Sequence, residues 1–590
     1  MKQYSISVLV LLSAILSTFP ALAAYVPPPD HPSRPSPGRT IASDTFAPAA
    51  HGTGAFVLEA HDGGVACREA SSAEAEALAR PVHSESVREI SPAAPRNRFS
   101  GGDGLRLVLR GTRQLDAHPE AKAAYLRAAA VWERKIRTPI TIVIDVDFGP
   151  TNFGTPYPPN ALGASFAQEL TAELYGEVRE RLIEGAASEQ ARSIFASLPE
   201  GTVPTDLGRT ATMRAPSANG RALGLFVPVA DPDGTEASLG SPPTIALNSN
   251  VNYDYHPSGG IGAREVDFEA VVVHEIGHIL GFLSSTGVRE LDGREPVSVS
   301  VWDLFRLRPG TAESAFPRAE RILLSGGEQT FAAAGLEIPL STGRPDRTGG
   351  DGQQASHWKN DSYIDGRYIG VMEVSLPFGA RQVLTSHDLV AIELMGYSLR
   401  EGLDMAPELG TFAGHLKGGV LTVAGATVDV DGDADQLLLA LLDESGTVLA
   451  EMPAVSLDGG NSRITRFAIR ISEAEVPRTA TRASLTVVDR AGNRGETFAA
   501  GILGGEPGGP VLSRVSFRAD TLKIKGQRLA GEVQLEINGV INDALAVKPS
   551  ASGKKLVVSA SAAELGLDRG VNRVRVIRDG VDSNVLLLSY

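Results

Sequence analysis

The sequence predicts a multi-domain chain in which a mixed α/β (α+β) domain is followed by two all-β sandwich domains. Three observations carry this. The chain has 590 residues, several times the length around which one core is usually built. Strand and helix periodicities alternate between about residues 104 and 400. Beyond Tyr397 the helical patterns stop and short alternating segments take over.

The first 23 residues read as an export signal, with Lys2 ahead of an apolar run over 8–15 and Ala21-Leu22-Ala23 before a cut at Ala24. A secreted or periplasmic location is therefore expected. No later stretch approaches the ~20 uninterrupted apolar residues of a bilayer span. Residues 24–103 begin with the proline-rich PPPDHPSRPSP and continue with weak patterning. They read as a linker and a pro-segment or N-terminal extension. The single cysteine, Cys67, rules out an intramolecular disulfide. The formal charge of −15 is spread along the chain, which argues against nucleic acid and anionic membranes as partners.

Within the 104–400 domain, Leu105, Leu107 and Leu109 alternate as in a half-buried strand, and Tyr125, Ala129, Trp132 and Ile136 recur at helical spacing. ITIVIDVDF at 140–148 supplies a β-branched strand closed by Gly149-Pro150. A helix is expected over 166–183, and strands near 221–227 and at TIALNS, 244–249. Farther on, VLTV, QLLLALL and ASLTVVD predict a first sandwich over 410–503. A glycine- and proline-rich link at 504–510 leads to LKIKG, VQLEING and LVVSAS, which predict a second over 509–590.

The chemistry concentrates at HEIGHILGF, residues 274–282, where Val272, Ile276, Ile279 and Leu280 set the motif on a buried helix. A helix repeats every 3.6 residues, so His274 and His278 share a face and two imidazoles can reach one Zn²⁺. Glu275 is placed to act as general base rather than as a ligand. Gly281 allows the backbone to turn sharply, so that a third ligand arrives from elsewhere.

At HEIGHILGF the chain resembles the metzincin proteases, whose compact form has a third histidine three residues after the glycine. Ser284 occupies that position here. The layout is instead similar to the leishmanolysin-like branch, with a His-Trp pair after a long insertion and then a methionine turn. SHWKND supplies His357 and Trp358, GVMEVSLPFG supplies Met372, and TSHDLVAIELMGY follows. The resemblance covers roughly 105–400 and implies a zinc metalloendopeptidase with His274, His278 and His357 as metal ligands. Met372 would form a hydrophobic floor under the site. It also implies a twisted mixed sheet with TIALNS at its edge, so that Ile245, Ala246, Leu247 and Asn248 would cradle an extended protein or peptide substrate. Glu275 is expected to take the proton of a zinc-activated water and return it to the leaving amine, with no acyl-enzyme.

Other residues compete for roles. His387 is the rival third ligand, although Ser386-His387-Asp388 reads better as the capped start of a helix with Ser386 as N-cap. Cys67 is either an inhibitory thiolate on the zinc of a latent form or a buried small hydrophobe. The run DVDGDAD, with Asp429, Asp431, Asp433 and Asp435, resembles a calcium (Ca²⁺) loop, but the glycine and distal glutamate of an EF-hand are misplaced and a solvated turn is the favoured reading. The C-terminal domains resemble immunoglobulin-like and IPT/TIG types, which implies binding to protein or glycan surfaces, or spacing. Two alternatives to a protease stand beside it: an adhesion or scaffold protein with an inactive protease-like domain, and a zinc hydrolase acting on something other than peptides.

Overall fold

The computed structural model describes Ala47–Pro48 and, from residue 54 onward, the chain apart from 92–103, 226–241, 288–296, 361–366, 504–509 and shorter breaks. The expected export signal and most of the glycine-rich link lie outside the described residues. The chain is multi-domain and mostly β, and divides into one compact unit within 15–405 plus 428–431 and another over 406–427 and 432–590. Among the described residues no helix is long and apolar enough to cross a membrane.

The first unit is built on an eight-stranded mixed sheet. Its order is Ser375–Pro377, Gly64–Glu69, Ala55–His61, Ala161–Phe166, Thr244–Asn248, Thr141–Gly149, Arg106–Thr112 and Val87–Glu89. Arg106–Thr112, Thr141–Gly149 and Thr244–Asn248 run parallel; the remaining pairs are antiparallel. Parallel neighbours require a crossover, supplied between the first two by the helix Pro119–Glu133. That helix buries Ala121, Ala124, Tyr125, Ala128, Ala129 and Trp132. The Trp132 indole donates to the Val273 carbonyl at 2.9 Å, which fastens it to the motif helix. The IVIDVDF strand is buried on both faces, which explains why it reads as a nearly continuous apolar run.

Four expectations are corrected here. TIALN is not an edge strand: Thr244–Asn248 has Thr141–Gly149 on one side and Ala161–Phe166 on the other, so the backbone at Ile245, Ala246, Leu247 and Asn248 is engaged within the sheet. The helix expected over 166–183 is a strand, Glu169–Glu173, followed by a helix, Tyr175–Glu184. All five residues of that strand pair with Thr212–Pro216, a tertiary contact that overrides local helix propensity. Arg221 and Ala222 belong not to a strand but to a helix, Ser217–Ala222, that follows directly on the strand Thr212–Pro216, while residues 226–227 lie outside the described residues. Finally, part of the weakly patterned 51–100 stretch is woven into the main sheet as three strands, joined by the short helix Ser72–Leu78.

In the second unit, eight strands from Glu408–Lys417 to Phe498–Leu503 surround one core containing Leu421, Val423, Leu437, Leu439, Phe467, Ile469, Leu485 and Val487. Its first and last strands pair in parallel. The remaining strands form a four-stranded and a five-stranded sheet. Leu522, Ile524, Leu556 and Val558 of one pack with Leu535, Ile537, Val574 and Val576 of the other, which is a β-sandwich.

Candidate metal centre

The motif helix is Phe268–Leu280, begun by Asp267, whose side chain accepts the Ala270 N–H at 3.1 Å. It ends at Gly281, φ 136°, with Gly281 N–H to His278 O and Phe282 N–H to Gly277 O, both 3.1 Å. This turn folds the Phe282 carbonyl back onto the His278 ring.

His274, His278 and His357 converge. The Nε2 atoms of His278 and His357 each lie 3.1 Å from that of His274. On the far side of each ring, Nδ1 meets a backbone carbonyl: His274 to Val371 at 2.7 Å, His278 to Phe282 at 2.7 Å, His357 to Gln354 at 3.0 Å. A carbonyl only accepts, so each Nδ1 carries the proton and each Nε2 presents a lone pair. Burial, reinforced by mutual repulsion at His278 and His357, pulls all three imidazoles down, His274 to about 4, so they are neutral at pH 7. Three lone pairs facing one point repel unless a cation lies among them. Tetrahedral bonds of ~2.0–2.1 Å place nitrogen donors about 3.3 Å apart, close to the spacing found.

The remaining donor is Cys67. Its Sγ lies 3.8 Å from His278 Nε2, and the four ligand atoms all fall within 4.8 Å of one another. Among the described residues this is the one such group close enough to share an ion. Cys67 is fully buried, and burial, with the nearby Glu275 charge, pushes its thiol well above the usual range. It reaches the site on the hairpin Ala55–His61 and Gly64–Glu69, which fills the sheet between Ala161–Phe166 and Ser375–Pro377. Cys67 N–H donates to Val374 O at 2.8 Å, and the Phe56 ring stacks on His278 with centroids 4.0 Å apart.

Glu275 is fully buried beside the histidines, its carboxyl raised to about 7 by burial. Oε2 accepts from the Ser165 hydroxyl, whereas Oε1 has no hydrogen-bond partner among the described residues. An unsatisfied buried carboxylate oxygen beside a three-nitrogen cluster suits a zinc site in which that oxygen faces a water. Met372 is buried, and a Cβ at Gly277 would collide with its sulfur, so the glycine of HEIGH is what lets Met372 lie against the motif helix.

The other candidates lie elsewhere. His387 is buried with Nδ1 3.1 Å from Ile369 O and is not part of the ligand group. The helix Ser386–Leu394 begins one residue earlier than expected, with Thr385 rather than Ser386 as its N-cap. In DVDGDAD, Asp429 accepts the Asp431 N–H at 3.0 Å, and the Asp431 carboxylate accepts Leu403 and Met405 N–H at 2.8 and 3.0 Å. These carboxylates tie backbone together and form no ion-binding group among the described residues. Sequence reasoning missed Ser165, Phe56 and the hairpin. Ser165 carries no sequence signal, but HDGG at 61–64 between two short apolar runs is hairpin chemistry.

No protein-family profile matches the sequence, and no curated protein is similar to it. Among solved structures, one likeness is to SGBP-B from a complex xyloglucan utilization locus in Bacteroides uniformis, 13% identical over 31% of this chain and 48% of that one, TM-score 0.13. Another is to Drosophila OTK, extracellular domains 3–5, 12% identical over 31% of this chain and 64% of that one, TM-score 0.12. The chain spans less than two thirds of either protein, and at such TM-scores neither likeness bears on fold or function.

Proposed function

We propose that this chain is an exported zinc-dependent metalloendopeptidase of the metzincin type, described here in a latent state. The observation that carries the reading is the convergence of the His274, His278 and His357 Nε2 lone pairs beside the unpartnered oxygen of Glu275. His274, His278 and His357 would hold the ion, with Cys67 as fourth donor in the latent state. Bound there, zinc would supply Lewis acidity toward a water and a scissile carbonyl.

The chain's own groups do the rest. Glu275 Oε1 takes a proton from the attacking water and returns it to the leaving amine, while Ser165 holds Oε2 so that the free oxygen faces the site. An extended substrate would pair with Ala161–Phe166 once the hairpin has left, in place of the Ile245 to Asn248 segment inferred from sequence. The hairpin therefore occupies the substrate's track, and Cys67 the position the water needs. The parallel pairing of first and last strands favours an immunoglobulin-like reading of residues 410–503, and both C-terminal domains would bind protein or glycan surfaces or act as spacers.

The test is Glu275→Ala in protein freed of its N-terminal segment. Peptide hydrolysis should vanish while zinc stays bound; retained turnover would remove Glu275 from the mechanism.

A further inference from the structure

Resting on the zinc reading above, we infer that Asp388 is a positioning residue whose single carboxylate sets the orientation of two of the three metal ligands, His274 and His357. It occupies the first turn of the helix Ser386–Leu394, outside the HExxH helix and outside the His-Trp pair.

The carboxylate is completely buried and accepts from two directions. Oδ2 receives the Thr385 and Val371 N–H groups at 2.9 and 3.0 Å. Oδ1 receives the Trp358 indole N–H at 2.8 Å and, more distantly, the Met372 N–H at 3.4 Å. The Thr385 hydroxyl also lies 3.4 Å away, but its hydrogen goes to Ile369 O at 2.7 Å. Each group leads to a ligand. The peptide that joins Val371 to Met372 offers its N–H to Asp388 on one edge and its carbonyl to His274 Nδ1 on the other. Trp358 follows His357 in the chain, and its own N–H is tied to Met372 O at 3.0 Å. Asp388 thus holds the methionine turn against one ligand and the His-Trp pair against the same turn. No side chain fits between them, since a Cβ at Gly370 would collide with both carboxylate oxygens.

An asparagine of the same shape keeps one accepting oxygen. Its NH₂ must then face either Trp358 and Met372 or Val371 and Thr385, donor against donor. The turn or the His-Trp pair has to shift, and with it His274 or His357. Loss of a group bonded directly to a ligand lowers metal affinity by ~10–100-fold, which bounds from above the effect of a carboxylate one hydrogen bond further out.

The experiment uses the full chain, wild type and Asp388→Asn, with Trp358→Phe as a milder variant that removes one donor only. Zinc dissociation constants come from chelator competition, the Co²⁺-substituted proteins are examined for their visible ligand-field bands, and apo melting temperatures are recorded in parallel. The expected result is a zinc Kd raised ~10-fold, and at most ~100-fold, in Asp388→Asn and less in Trp358→Phe, with altered Co²⁺ bands in Asp388→Asn. If Asp388→Asn does not fold, Trp358→Phe must still raise the Kd, and an unchanged value there overturns the inference. A lowered melting temperature with wild-type Kd and Co²⁺ spectrum makes Asp388 a purely structural residue and likewise overturns it. Absence of zinc binding in wild type is a separate outcome, which overturns the metal-centre reading itself and this inference with it.

Discussion

Removing the Cys67 thiol alone should not free the Ala161–Phe166 strand from the hairpin that covers it. Cys67→Ala removes the burial of one sulfur, about 1 kcal/mol, and the fourth donor to the ion, a position that a water can take over. What stays is larger. Residues of Ala55–His61 oppose the Ala161–Phe166 strand at five positions, from Ala55↔Phe166 to Glu59↔Ala161, and Gly64–Glu69 opposes Ser375–Pro377 at three. Backbone hydrogen bonds of such ladders contribute about 1 kcal/mol each, and full burial of Phe56 a further ~1.5–3 kcal/mol. The covering hairpin is therefore held mainly by its ladders and its apolar side chains, not by the thiol. Three proteins decide the point: the intact chain, intact Cys67→Ala, and the chain cut at a specific protease site inserted at position 100 and freed of the N-terminal segment. Hydrolysis of a casein-derived peptide should be low in the first, rise less than about tenfold in the second, and be far higher in the third, since ~3 kcal/mol of remaining closure corresponds to over a hundredfold. If Cys67→Ala matched the cut protein, the thiol alone would be the lock. A fully active intact wild type would remove the hairpin from the substrate's path.

The Ser165 hydroxyl is the hydrogen-bond donor to the Glu275 carboxylate, so Ser165→Ala leaves a buried carboxylate unsatisfied at a cost of ~1–3 kcal/mol. Peptide turnover by the cut protein should fall ~10–100-fold with zinc content unchanged, and an undiminished kcat would contradict the proposed role. Acid should loosen the hairpin. Hydrogen bonds from Arg68, which also bridges to Glu59, lower the Glu74 carboxyl to about 2, so its contribution is complete above the ordinary carboxylate value and is lost as pH falls from there toward 2. The pair is partly exposed, so solvent screening limits the effect to under ~1 kcal/mol. At pH 6, where the histidines stay neutral, labelling of Cys67 by a disulfide reagent should be up to about fivefold faster in Glu74→Gln than in wild type, and equal rates would exclude this contribution.

The candidate metal centre was the most legible part of the sequence, because the spacing of His274 and His278 on a helix follows from its 3.6-residue repeat and the apolar flanks of HEIGHILGF mark a buried face. His357 was legible only through the His-Trp and methionine pattern, since a ligand brought in across a long insertion leaves no periodic trace. The structure brings His357, and not His387, to the other two. Strands with strong β-branched runs, such as 140–148, were readable for the same reason that they are buried on both faces. The position of TIALN within its sheet was not, because alternation along a strand says nothing of its neighbours. Glu169–Glu173 was hidden likewise: its residues favour a helix locally, and only pairing with Thr212–Pro216 makes a strand. Cys67 could be singled out as the lone thiol, yet nothing local to it reveals that it lies 3.8 Å from His278 Nε2.

Whether His274, His278 and His357 hold one catalytic zinc is decided by zinc content, measured by mass spectrometry on wild type and His357→Ala, with casein hydrolysis followed on the same samples after removal of the N-terminal segment. The expected outcome is one zinc per chain with proteolysis in wild type and loss of both in the variant. A variant that kept its zinc and its activity, or a wild type that held no zinc, would contradict it.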